Sequence, residues 1–126
     1  MIRYLLVGIG GFFGAVSRYG LSGLVHRMLK RPGFPFGTLS VNLLGSLLIG
    51  MAMGLVETTE WLTPSLRLLL LIGFLGGFTT FSTFSYETFA LFRQGEISLG
   101  LLNLGIHLGA GLFAVWLGLL AGRAFS

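Results

Sequence analysis

Four apolar stretches, each long enough to cross a bilayer and almost free of charge, constrain this chain more than any other feature. Crossing the hydrocarbon core takes about 20 residues of helix at about 1.5 Å rise per residue. Runs of that length fall at about 4–25, 37–56, 66–92 and 97–121. Lipid offers no water to backbone amides and carbonyls, so runs of this kind must bond internally as helices. The predicted fold is an all-α integral membrane protein, a single four-helix domain over residues 1–126. Composition agrees: 10% of the residues are charged, against about 25% in a soluble domain. Mean hydropathy is +0.91, which leaves too little polar material to coat a water-facing surface. The first stretch is too long for the apolar core of a signal peptide, and no A-x-A-like site follows it before the second.

These features exclude a soluble enzyme, a DNA-binding module and a disulfide scaffold. Cysteine is absent, so thiolate metal sites and disulfides are excluded too. A net charge of +4 does not point to nucleic acid in so apolar a chain. Its basic residues are expected at membrane interfaces or near anions. No Asp or Cys is available for nucleophilic or phosphate–metal chemistry, and no G-x-S-x-G elbow supports a Ser82–His107 pair. The chain is not expected to be an enzyme.

Short loops join the spans. Residues 26–36 hold Arg27, Lys30, Arg31, Pro32, Gly33 and Pro35, and residues 57–65 hold Glu57, Glu60, Trp61 and Pro64. Thr63 is suited to cap the third helix, with Pro64 at its first position. Gly95 turns the chain between the third and fourth spans. Counting basic residues by side sets Arg3, Arg67 and Arg123 against Arg27, Lys30, Arg31 and Arg93. Such near-balance fits a chain that inserts both ways and pairs antiparallel. It equally fits a weakly biased protein oriented by its first loop. Five G-x-x-x-G pairs (Gly10–Gly14, Gly50–Gly54, Gly73–Gly77, Gly105–Gly109, Gly118–Gly122) predict close helix packing and oligomerisation without specifying chemistry.

The sharpest local feature is Gly73-Phe-Leu-Gly-Gly-Phe-Thr-Thr-Phe-Ser-Thr-Phe-Ser-Tyr-Glu87, inside a third span longer than an upright helix needs. Gly76 and Gly77 precede Thr79, Thr80, Ser82, Thr83 and Ser85, all poor helix formers or competitors for backbone bonds. A tilted continuous helix would absorb the length. The density of hydroxyls favours a break near the midplane, of the kind that supplies freed carbonyls to ions. Phe81 and Phe84 share a face if that stretch is helical, and a ring's positive edge can meet a small anion. Arg18 can snorkel to headgroups or hold an anion path. Asn42 can donate amide hydrogens to an ion or bond between helices. Glu87 is an intramembrane carboxylate, costly enough to be functional by default. His107 reads as a neutral packing or hydrogen-bonding group.

Together these motifs resemble the small dual-topology fluoride channels, the CrcB or Fluc family. The resemblance covers all four spans. It is carried by Gly10-Gly-Phe-Phe-Gly-Ala-Val-Ser-Arg18-Tyr19, by Gly37-Thr-Leu-Ser-Val-Asn42-Leu-Leu-Gly45 and, most specifically, by residues 73–87. It implies an antiparallel homodimer in the cell membrane with two pores for passive fluoride export. Phe81 and Phe84 would line a pore, Asn42 would reach the ion, and Thr38, Ser82, Thr83 and Glu87 would continue the path. Arg18 would stand near the wide vestibule. Carbonyls of Gly76 and Thr79 from both subunits would hold a structural Na+ at the two-fold axis. In the fourth helix, members often carry Tyr and Ser where this chain has Asn103 and His107. Two other classes remain. A small multidrug-type proton-coupled transporter would need a glutamate in the first span, where this chain has Arg18 and no acid before Glu57. A non-transporting assembly subunit would leave the hydroxyl–Phe cluster and Glu87 without a purpose.

Overall fold

The computed structural model describes residues 1–125, and every regular element among them is helical. Helix α1 runs Ile2–Leu29 and α2 runs Phe36–Thr58. The third span, Pro64–Arg93, is composite, and α6 runs Ile97–Ala124. These four segments are long and apolar enough to cross a membrane, extending the expected spans by a few residues at most ends. The chain is a multi-pass membrane protein.

Local chemistry explains the ends. Lys30 closes α1 in a left-handed conformation (φ 47°), its N–H bonding the His26 carbonyl, before Pro32 and Pro35 bar helix continuation. Thr63 caps the third span as expected: its Oγ1 accepts the Leu66 N–H at 3.3 Å, with Pro64 following. Gly95, at φ 80°, makes the turn into α6, a conformation that favours glycine.

The third span changes character along its length. One α-turn, α3 (Pro64–Arg67), widens into π-helical turns over Leu68–Leu75, then returns to α geometry in α4 (Gly76–Phe78). Thr79 and Thr80 are extended, at φ −93°, ψ 156° and φ −148°, ψ 114°. Helix α5 (Phe81–Arg93) then starts afresh, Thr80 Oγ1 accepting the Thr83 N–H at 3.2 Å. The interruption changes the span's neighbours. Residues 68–78 pack on α1, whereas α5 packs on α6.

Glycine surfaces make these contacts possible. Within α1 the buried residues are Gly10 and Gly14. A methyl group on either would run into the backbone of Leu69 or Phe74, and one on Gly73 or Gly77 would meet α1 in return. Helices α2 and α6 interlock likewise, through Gly50 and Gly54 against Val115 and Leu119, and Gly118 and Gly122 against Leu47 and Met51. Four of the five G-x-x-x-G pairs are thus helix contacts within the chain, while Gly105 and Gly109 face open space. At one end Arg123 pairs with Glu57 at 2.6 Å, tying α6 to α2 as a four-span topology requires.

Candidate functional site

The interruption at Thr79–Thr80 creates the site. An extended residue between two helices has a backbone N–H and C=O that no helix ladder serves, and both must be satisfied. Asn42, on α2, does this with its side-chain amide. Its Oδ1 accepts the Thr80 N–H at 2.9 Å, and its Nδ2 donates to the Thr80 carbonyl at 3.2 Å. This two-bond pair works as a neighbouring strand would. The second Nδ2 hydrogen goes to His107 Nε2, 3.2 Å away on α6.

Two clefts meet at Thr80, which lines both. The first, of about 370 Å³, is bounded by Asn42, Phe81, Phe84, Thr79, Gly76 and His107 among others. Among the described residues no carboxylate lines it. Phe81 and Phe84 have ring centroids 5.8 Å apart with planes tilted by 59°. Phe84 is buried and lies over the His107 ring, 4.1 Å between centroids. Phe81 is 79% exposed. The second cleft, of about 360 Å³, holds Arg18, His26, Thr38, Thr83 and Glu87.

In that second cleft, polar groups are engaged with one another. Thr38, buried on α2, donates its hydroxyl to Glu87 Oε1 at 2.8 Å. The other carboxylate oxygen, Oε2, is buried without a protein hydrogen bond, so the site holds an acceptor that the fold does not consume. Arg18 Nε donates to the Gly77 carbonyl at 3.0 Å. That places a cation against the C-terminal end of the helix that stops at Phe78, where the backbone dipole favours positive charge.

The candidate residues therefore divide. Asn42, Phe81 and Phe84 share one cleft, and Arg18, Thr38, Thr83 and Glu87 share the other. Ser82 lines neither; it is exposed, 3.3 Å from Thr80 Oγ1. Gly76 and Thr79 sit where the helix ladder lapses. The amides four residues on, Thr80 N–H and Thr83 N–H, bond to Asn42 Oδ1 and Thr80 Oγ1 instead of to their carbonyls. Sequence reasoning missed the joint role of Thr80. Its hydroxyl caps α5 and its backbone pairs with Asn42, and the run of hydroxyls had already marked the segment. It also left His107 without a partner. Asn103, buried beneath, donates to Thr88 Oγ1 at 2.8 Å, and Thr88 donates to the Phe84 carbonyl at 2.7 Å, which fixes Phe84 from behind.

The two clefts are lined by a neutral amide, two phenylalanine rings, hydroxyls, a cation and a carboxylate, with no assembled nucleophile or metal cluster among the described residues. Known proteins give them a context. The family model described as "CrcB-like protein, Camphor Resistance (CrcB)" matches residues 5–119. A protein of Hydrogenovibrio crunogenus named fluoride-specific ion channel FluC is 44% identical over 99% of this chain and 94% of its own length. Proteins of the same name from Geobacter sulfurreducens and Nitratidesulfovibrio vulgaris are each 46% identical, over 98% of both chains. With a family match across nearly its whole length and relatives this similar, the chain belongs to the CrcB-like family of membrane channels and is not an enzyme.

Proposed function

We propose that this chain is a fluoride-selective channel, passing the ion down its gradient and out of the cell. The observation that carries the reading is the first cleft, where the Asn42 amide and the Phe81 and Phe84 rings converge without a carboxylate. Fluoride is small and strongly hydrated, so a conducting path must replace its water with closely spaced donors while binding weakly enough to release it. Amide hydrogens and the positive edges of aromatic rings meet that need, and a carboxylate there would repel the ion. In the second cleft the Arg18 cation offsets the Glu87 carboxylate, so that end of the path does not turn an anion away. Thr38 and Thr83 continue the path beside Glu87, and Ser82 takes part from the neighbouring exposed face.

The working unit in this reading is an antiparallel homodimer with two pores. Near-balanced basic residues support insertion in both directions. The large exposure of Phe81 supports a second chain completing the pore wall. The carbonyls of Gly76 and Thr79 suit a structural Na+ between the two copies. They are hard, neutral oxygens whose usual helix partners bond elsewhere. When bound, the cation would supply a positive charge shared by both chains.

Purified protein in liposomes loaded with fluoride and chloride is the test, with each ion followed by electrode. Rapid fluoride efflux with chloride held back at least about a hundredfold is expected, a margin of about 3 kcal/mol. Folded protein that releases neither ion, or both equally, would overturn the proposal.

A further inference from the structure

The His107 ring contacts two elements besides its own helix, and its hydrogen bonds determine its form. Nδ1 lies 3.1 Å from the Asn103 carbonyl. A carbonyl can only accept, so Nδ1 carries the hydrogen. Nε2 is then a bare acceptor, facing an Asn42 Nδ2 that can only donate, 3.2 Å away. The same Asn42 amide is paired with both backbone groups of Thr80, at 2.9 and 3.2 Å. The ring face is covered by Phe84. No other ionisable side chain lines this cleft. Glu87, the nearest carboxylate on α5, turns to Thr38 in the other cleft, and α2 and residues 71–80 contribute only neutral groups to the lining.

We infer that His107 is a positioning residue, the neutral Nδ1–H imidazole that holds the remaining hydrogen of the Asn42 amide in the first cleft. Thr80 already sets which way the amide faces, its N–H requiring Oδ1 and its carbonyl requiring Nδ2, and in that orientation the second amide hydrogen is aimed at His107. The histidine reinforces that orientation from a third side, accepting the one amide hydrogen that Thr80 leaves and holding it where an incoming anion would take it over. Because the acceptor is the distal nitrogen, the requirement is specific. Glutamine, whose carbonyl oxygen reaches about as far as Nε2, can replace it. Asparagine, which reaches only to the level of Nδ1, cannot.

The inference rests on the channel reading for one of its two measurements only. In nanodiscs, imidazole nitrogen NMR of the wild-type protein is expected to show Nδ1 protonated and Nε2 bare. The Asn42 side-chain amide signals should be retained in His107→Gln and displaced in His107→Asn and His107→Ala. Fluoride efflux should stay within about threefold of wild type in His107→Gln and fall about tenfold in the other two, the cost of one hydrogen bond. Thermal unfolding of each variant establishes that it is folded. If alanine does not fold, the Gln and Asn variants carry the comparison. A hydrogen on Nε2, or Asn42 signals unmoved by asparagine, overturns the inference, as does a glutamine variant as slow as asparagine. Should the protein conduct no fluoride at all, the channel reading fails while the NMR measurement still decides the role of His107.

Discussion

Asn42→Asp changes one atom type and almost no volume, so it isolates what the amide nitrogen does. Three hydrogen bonds converge on this side chain, at 2.9 Å from the Thr80 N–H and 3.2 Å each to the Thr80 carbonyl and His107 Nε2. Aspartate keeps the first and loses both of those donated by nitrogen, about 2 kcal/mol at about 1 kcal/mol per bond. In its charged form it also sets an anion beside the path. Two unit charges about 4 Å apart repel by about 4 kcal/mol at the effective dielectric of a partly exposed site. That repulsion alone slows passage about a thousandfold. If a proton neutralises the carboxylate, its single O–H restores only one of the two donated bonds, and about fivefold remains as the floor. The assay is fluoride efflux from liposomes at matched protein density, with protein-free vesicles subtracted and unfolding temperature measured alongside. Efflux within about threefold of wild type from folded Asn42→Asp would refute the reasoning and remove Asn42 from the conduction path.

Two further outcomes follow from the packing and the charge balance. Gly118→Val should lower the unfolding temperature markedly, because its Cβ would run into the Leu47 and Met51 backbones and overpacking costs about 1–3 kcal/mol or more. Gly8→Ala, at an exposed position where nothing lies within 4 Å, should be neutral or slightly stabilising, so equal destabilisation by both would contradict the packing account. Reporters fused at the C-terminus should signal from both faces of the membrane if the basic residues are truly balanced. A signal from one face alone would remove the antiparallel arrangement.

Much of this architecture was legible because the bilayer imposes a length rule. Twenty-odd apolar residues can be little else, and the four spans follow from counting. Thr63 and Pro64 announced a helix start for the same local reason that they make one. The hydroxyl-rich stretch after Gly77 marked where helical geometry would be weakest, and the backbone becomes extended at Thr79 and Thr80. The register of facing helices was not legible. Five glycine pairs look alike in sequence, yet four meet a neighbouring helix of the same chain and Gly105–Gly109 does not, because only the three-dimensional crossing decides which face is covered.

Division of the polar residues between two clefts was hidden for a related reason. Thr38 and Asn42 are four residues apart on α2, neighbours on one helical face, and a sequence reading puts them on one continuous track. In the fold, the extended backbone of Thr80 inserts beside that face. Asn42 is drawn to it by two hydrogen bonds, while Thr38 turns to Glu87. A helix in place of the interruption would have satisfied the Thr80 backbone within its own ladder, and Asn42 would have had nothing to bridge. The interruption thus does more than free carbonyls: it recruits the Asn42 amide to Thr80, where the clefts meet, and His107 follows as the group able to accept that amide's remaining hydrogen.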